Sequence, residues 1–348
     1  MRRLTSLALA LATLAACSDD GGNPIDDAGS TSDAATTTDS PSGGPDAKPP
    51  ADAGLDAVTT PDATGPEPPG IFVVVGYGGR TARSVDDGLT WTDDKALVPN
   101  GGDDNYLLRT VVWAKDHFLA LGWRSMTSPD GKTWTDHGVL KGTNWFGSVV
   151  WDGTQLVAVG GYGMKVTSAD GATWQDHSID TGAAHAWDGL ARSGTAFATT
   201  NDDGVRAHSN DGKTWTASTG SATKTKDIAF GNGVFVAIGG TAVLRSTDGG
   251  ATFQSAATLG APADGLIFAQ GHFTTWANGH AYTSQDGTTW TDHAVAGDQR
   301  ATVAYGHGTY VRIAGDVRMR STDGITWTHA TPNGQNGNWF SMVTFGAQ

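Results

Sequence analysis

Ser284-Gln-Asp-Gly-Thr-Thr-Trp290 is the stretch on which the reading of the chain turns, because it recurs. Its counterparts are Ser84-Val-Asp-Asp-Gly-Leu-Thr-Trp91, Ser128-Pro-Asp-Gly-Lys-Thr-Trp134, Ser168-Ala-Asp-Gly-Ala-Thr-Trp174 and Ser209-Asn-Asp-Gly-Lys-Thr-Trp215. Two more are Ser246-Thr-Asp-Gly-Gly-Ala-Thr-Phe253 and Ser321-Thr-Asp-Gly-Ile-Thr-Trp327. The serines fall 44, 40, 41, 37, 38 and 37 residues apart, a period that suits a four-stranded propeller blade. Ser and Asp side chains bond nearby backbone groups and fix a tight turn. Gly allows the positive φ of such a turn. Thr and Trp then open the next strand, where an indole such as that of Trp174 packs between neighbouring blades.

Working outward from each turn, an apolar strand pair lies upstream. Val149-Val150-Trp151 is followed by Leu156-Val-Ala-Val-Gly160 across Asp152-Gly153, and Ile228-Ala229-Phe230 by Phe235-Val-Ala-Ile-Gly239 across Gly231-Asn232-Gly233. Both links are hairpin signals. Each repeat therefore reads as strands A, B, C and D, with A innermost and the serine–aspartate turn between C and D. The repeats begin with Ile71-Phe-Val-Val-Val-Gly76, a B strand without an A strand before it. They end with Trp339-Phe-Ser-Met-Val-Thr-Phe345, an A strand without a B strand after it. The last strand should complete the first blade and remove exposed sheet edges. The expected fold is all-β: one seven-bladed β-propeller of four-stranded blades over residues 70–348.

The repeated segments resemble the Asp box of the sialidase-like (BNR-repeat) propeller superfamily, Ser-x-Asp-x-Gly-x-Thr-Trp/Phe. The copies at Ser84 and Ser246 have its full length and the other five are one residue shorter. The resemblance implies that Asp86, Asp130, Asp170, Asp211, Asp248, Asp286 and Asp323 are structural turn residues, away from the active face. Sialidases of this type use three arginines, a Tyr–Glu nucleophile pair, an Asp acid/base and an Arg-Ile-Pro segment. Here the sole glutamate is Glu67, outside the repeats, and the sole Arg-Ile, Arg312-Ile313, precedes Ala314. The sialidase machinery is missing on composition alone. Relatives that hydrolyse glycosides with two Asp residues leave an alternative: a pair drawn from Asp103, Asp104, Asp202, Asp203, Asp264, Asp298 and Asp316, which nothing in the sequence singles out.

The other end of the chain reads differently. Met1-Arg2-Arg3, an apolar run and Leu14-Ala15-Ala16-Cys17 have the layout of a signal peptide over residues 1–16 and resemble the bacterial lipobox. The resemblance implies cleavage before Cys17 and lipidation of that residue, the one cysteine in the chain. Residues 17–69 are rich in Asp, Ala, Thr, Ser, Gly and Pro, with almost no large apolar side chain. Such a stretch cannot bury enough surface to order itself and reads as a disordered acidic tether. The expected location is the bacterial cell envelope, at the outer membrane or cell surface. Net charge is −14, and no basic stripe appears, which argues against a nucleic-acid partner. No cofactor is expected, and the oligomeric expectation is a monomer. Asp136-His137, Asp176-His177 and Asp292-His293 recur two residues past the box Trp, a strand-end position rather than a metal ligand set.

Binding belongs on the face that carries the D-to-A and B-to-C loops, opposite the serine–aspartate turns. Tyr106, Trp123, Arg124, Trp145, Tyr162, Trp187, Trp276 and Trp339 fall just before an A strand or just after a B strand, so they are the candidate ligand residues. One reading is a ring of aromatic platforms for sugars or extended peptides. The other is that the same rings pack the blade tops. Arg109, Arg192 and Arg300 form a candidate anion site, or ion pairs with the many aspartates. The leading functional expectation is a non-catalytic surface lipoprotein that binds a glycan or an envelope protein. The alternatives are an Asp-dependent glycoside hydrolase and an assembly factor of the envelope.

Overall fold

A computed structural model describes residues 70–140, 144–178, 186–201, 203–330 and 338–347. The signal-peptide and tether expectations, Cys17 and Asp202 lie outside the described residues, as do residues 179–185 and 331–337.

In chain order the strands are β1 (Gly70–Gly76), β2 (Thr81–Ser84), β3 (Thr92–Lys95), β4 (Leu108–Ala114), β5 (His117–Gly122), β6 (Arg124–Ser128) and β7 (Thr135–Val139). Next come β8 (Phe146–Trp151), β9 (Leu156–Gly160), β10 (Lys165–Ser168), β11 (Gln175–Asp176), β12 (Gly189–Arg192), β13 (Phe197–Thr200), β14 (Arg206–Ser209) and β15 (Thr216–Ala217). The rest are β16 (Thr219–Gly220), β17 (Asp227–Gly231), β18 (Val234–Ser246), β19 (Thr252–Ala269), β20 (His272–Ser284), β21 (Thr291–Asp298), β22 (Thr302–Gly306), β23 (Thr309–Ala314), β24 (Val317–Ser321), β25 (Thr328–Ala330) and β26 (Phe340–Ala347).

These strands form antiparallel blades of a β-propeller. β26-β1-β2-β3, β4-β5-β6-β7, β8-β9-β10-β11, β12-β13-β14-β15 and β22-β23-β24-β25 are four-stranded. β17-β18-β19-β20-β21 is a wider sheet in which β16 also pairs with β19. Inner strands contact one another from sheet to sheet, and β22 touches β26, which touches β4, so the arrangement closes on itself. The apolar clusters lie mostly between sheets: Phe72, Val74 and Trp91 meet Val311 and Ile313, while Val73 and Val75 meet Phe118 and Ala120.

The expected count of seven blades is corrected to six, five of four strands and one of six. The repeats ending at Ser246 and Ser284 share one sheet because β19 runs for 18 residues, from the D strand of one repeat into the A strand of the next. The connection between them is Leu259-Gly-Ala-Pro-Ala263, which lacks the polar loop residues found elsewhere. Leu259 and Ala263 are buried against Ile238, Val243 and Ala277, so apolar burial holds the link in the sheet. The register with β18 moves from Ala242↔Thr258 to Gly240↔Ala263, and the intervening residues bulge.

The closing strand lies where the ends of the repeat place it. β26 pairs with β1 from Gly70↔Ala347 to Gly76↔Phe340, and all seven β1 residues are buried.

Candidate functional site

Antiparallel order puts the A–B and C–D connections at one end of every blade and the B–C and D–A connections at the other. The first end carries the serine–aspartate turns. In all seven the Ser Oγ donates to the Asp Oδ1 at 2.7–3.1 Å. The same carboxylate accepts the backbone N–H of the Thr that follows the glycine, as in Thr214 to Asp211 at 2.6 Å and Thr289 to Asp286 at 2.8 Å. Burial raises the Asp211 carboxyl, but the N–H groups of Thr214 and Lys213 outweigh it and hold the pKa at about 2. Gly88 shows why this position is glycine: its φ is +76°, and a Cβ there would stand 2.7 Å from Val311 Cγ2 in the neighbouring blade. The recurrent histidines bond across their strands, His137, His177 and His293 Nε2 to Thr127, Thr167 and Thr283 at 2.8–2.9 Å. No group of three or more His, Cys, Asp or Glu among the described residues is arranged to hold a metal. A hollow of about 620 Å³ also opens at this end, between β20–β21 and the Asp323 turn, walled by Thr, Gln and His side chains.

The opposite end carries a cleft of about 310 Å³, lined by Leu107, Arg109, Trp145, Gly147, Asp188, Trp339, Phe340 and Ser341. These residues stand at the starts of β4, β8, β12 and β26, so four successive innermost strands build it. Trp339 is 48 % exposed and stacks flat on Tyr77, centroids 4.2 Å apart and planes 5° from parallel. The Arg109 guanidinium lies over the Trp145 ring at 4.5 Å. One carboxylate, Asp188, lines the cleft among the described residues.

The sequence-derived candidates divide accordingly. Trp145 and Trp339 face the cleft. Tyr162 is 67 % exposed in the turn after β9, with φ +54°. Tyr106 is half-buried beneath Arg124, whose guanidinium sits 4.6 Å over its ring. Arg124 is itself buried, donating to Asp136 and to the Asn105 carbonyl. Trp123 is half-buried, its carbonyl accepting from Leu140 N–H. Trp187 is buried, and Lys165 Nζ lies 4.2 Å above its ring. Trp276 is fully buried: Nε1 donates to the Gly324 carbonyl at 2.7 Å, and the ring meets Trp327 edge-on at 6.0 Å. In five other repeats the box Trp donates to the box Gly carbonyl. Here Trp276 takes that carbonyl, and Trp327 Nε1 has no partner among the described residues. The three arginines are not gathered. Arg109 is in the cleft, while Arg192 ends β12 at the opposite end of its blade. Among the loop aspartates, Asp316 pairs with Arg80 and Asp264 with Lys226 at 3.4 Å.

Beneath the cleft face lies a layer of buried cations on aromatic rings that reading for aromatics alone passes over. Arg80 sits 4.0 Å from the Phe340 centroid and makes two bonds to Asp94 at 2.7 and 2.8 Å. Arg206 and Arg318 lie 5.5 and 5.1 Å from Phe253 and Phe340. Burial lowers the Lys165 pKa to about 8. The sequence does carry a signal: Arg80, Arg124, Lys165, Arg206 and Arg318 all stand three or four residues before a box serine. Their task here is to tie C strands to D strands and to neighbouring blades.

No protein-family model and no curated protein matches the chain. Solved structures do. YCF48 bound to a D1 peptide is 15 % identical with a TM-score of 0.55, covering 76 % of this chain and 93 % of that one. Selenomethionine-substituted virginiamycin B lyase from Staphylococcus aureus is 9 % identical at a TM-score of 0.57, covering 71 % and 96 %. Apo AztD from Citrobacter koseri is 9 % identical at 0.53, covering 80 % and 98 %. At these identities the likeness establishes the β-propeller fold.

Proposed function

We propose that the chain is a non-catalytic binding protein that holds a glycan in the cleft at the starts of β4, β8, β12 and β26. The observation that carries this reading is the half-exposed indole of Trp339, backed by Tyr77, in a cleft walled by the Arg109–Trp145 pair. Flat, rigid rings with polar groups between them fit the faces and hydroxyls of pyranose rings. Among the described residues one carboxylate lines the cleft, which supports binding over hydrolysis, since two-carboxylate hydrolysis needs a second acid across the bond. The seven serine–aspartate turns support membership of the Asp-box superfamily, and Leu14-Ala-Ala-Cys17 supports export as a monomeric, lipid-anchored envelope protein. A protein partner is the second reading, favoured by one neighbour of the same fold having been solved with a bound peptide.

The test is glycan-array binding by the purified protein beside a Trp145→Ala/Trp339→Ala variant with an intact melting transition. Selective binding lost in the variant supports the reading. An array silent for both proteins refutes it and moves the search to protein partners.

A further inference from the structure

The turns that follow β1 and β9 at the cleft end share one backbone and place a tyrosine differently on it. Gly76 and Gly160 enter them in extended conformation, at φ −171° and −177°. Arg80 and Met164 close them, their N–H groups donating to the carbonyls of Tyr77 and Gly161. The first turn residue donates its N–H to the carbonyl of the tryptophan before an innermost strand, Tyr77 to Trp339 at 3.0 Å and Gly161 to Trp145 at 2.9 Å. The second is left-handed in both, Gly78 at φ +71° and Tyr162 at φ +54°. In Gly76-Tyr77-Gly78-Gly79 the tyrosine comes first, and its ring lies flat against Trp339. The other turn reads Gly160-Gly161-Tyr162-Gly163. There Gly161 lies against the Trp145 indole, and a Cβ on it would stand 2.5 Å from Nε1. The tyrosine is thus moved one residue along, into a conformation that glycine fills freely and a bulky side chain adopts at a cost. The other non-glycine residues at positive φ among the described residues are Asp, Asn, Lys, Gln and His. Packing does not offset the cost: the Tyr162 ring is 67 % exposed, with no hydrogen bond or ring partner among the described residues.

A strained residue whose side chain packs on nothing within the protein points to a contact outside it. Tyr162 and Trp339 are the most exposed of the Phe, Tyr and Trp side chains among the described residues, and both stand at the cleft end. Trp339 lines the cleft and Tyr162 does not. The turn that carries Tyr162 is bonded to Trp145, whose ring is part of the cleft wall. A chain molecule that lies on Trp339 and passes the Arg109–Trp145 pair therefore leaves the cleft beside that turn. Resting on the glycan reading above, we propose that the ligand is an extended oligosaccharide, longer than the cleft, and that Tyr162 is the platform for a sugar beyond it. The cleft volume of about 310 Å³ is at the small end of ligand sites, so the cleft alone takes only a short stretch of the chain. With a second open ring outside it, the site selects a chain segment over a single terminal sugar.

The experiment is isothermal titration of the purified protein with cellohexaose, chitohexaose, mannohexaose and laminarihexaose, each beside the disaccharide of its series. At least one hexasaccharide should bind, roughly 3- to 10-fold more tightly than its disaccharide, the worth of one further ring contact. Tyr162→Asn removes the ring and keeps a residue that accepts positive φ. It should bring the hexasaccharide down to the affinity of the disaccharide, leave the disaccharide unchanged, and melt no lower than the unaltered protein. Tyr162→Phe should bind both lengths as the unaltered protein does. Equal affinity for the two lengths, or a hexasaccharide indifferent to Tyr162→Asn, overturns the proposal and leaves the glycan reading intact. A lowered melting temperature with equal losses on both lengths assigns Tyr162 to the fold and overturns the proposal likewise. Silence of all four series overturns it too, and the glycan array then decides whether the glycan reading falls with it.

Discussion

Stopping the chain after Asn338 removes β26 and should abolish cooperative folding. β26 supplies the inner edge of the first blade and pairs with every residue of β1. It also buries Phe340 and Val343 at 4 % exposure each and sets Phe345 against Phe72, ring centroids 5.0 Å apart. At ~1.5–3 kcal/mol per large apolar side chain, those three contribute on the order of 5–9 kcal/mol. The ladder to β1 adds ~0.5–1.5 kcal/mol per hydrogen bond. Arg80 and Arg318, which lie over the Phe340 ring, lose that support as well. The total is comparable with the whole stability of a typical domain, ~5–15 kcal/mol. Urea unfolding followed by tryptophan fluorescence and far-ultraviolet circular dichroism reads the outcome. The truncated chain should show no cooperative transition, whereas Phe340→Ala in the full chain should keep one, shifted by ~3–5 kcal/mol. A truncated chain that melts cooperatively near the full-length midpoint would refute the closure argument.

Three further outcomes follow from the packing and charge. Trp276→Ala should cost ~3–5 kcal/mol in urea unfolding and Trp339→Ala no more than ~1.5 kcal/mol, because the first ring is fully buried and the second only stacks on Tyr77; equal costs would contradict the division of these rings into packing and cleft. Asp94→Ala should cost ~3–5 kcal/mol, since it removes the carboxylate shared by Arg80 and Arg318, both fully buried, and leaves Arg80 with Asp316 as its ion-pair partner; a loss below ~1 kcal/mol would show that the cluster is not a structural tie. The third concerns pH. Burial pushes the Asp227 carboxyl up to about 6, against the N–H groups of Leu266 and Ile228. A raised carboxyl favours folding below its ordinary value, and that contribution is lost as pH rises through 6. Melting temperature should therefore rise from pH 7.5 to pH 5, and Asp227→Asn should flatten that rise; parallel profiles would exclude Asp227 as its source. The turn carboxylates, depressed below their ordinary values, act in the opposite sense and lose their stabilisation only as pH falls toward about 2, the value of Asp211.

Much of the fold was legible because its determinants are local. A Ser, an Asp and a Gly within five residues specify a turn from their own side-chain bonds, and seven copies specify blades. The unmatched first and last strands were legible for the same reason. The blade count was not, because the link 259–263 carries ordinary turn residues in Gly260 and Pro262, and only burial of Leu259 and Ala263 draws it into a continuous strand. The cleft was half legible. Sequence position places Trp145, Trp187, Trp276 and Trp339 at equivalent blade ends, but exposure depends on neighbours far along the chain. Trp276 is drawn inward by the Gly324 carbonyl, 48 residues away, and Trp187 lies beneath Lys165. Arg109 was visible as a cation, yet its lack of an acid partner among the described residues is a property of the whole neighbourhood.

The central claim is that ligand meets the protein at the Trp145–Trp339 cleft, and fluorine NMR of protein labelled with 5-fluorotryptophan tests it most directly. The chain holds 13 tryptophans, and single Trp→Phe variants at 145, 276 and 339 assign the three resonances that matter. On titration with the glycan selected on the array, the Trp145 and Trp339 signals should move together and saturate, with Trp276 unmoved. Shifts confined to other tryptophans, with those two unchanged, would contradict the account.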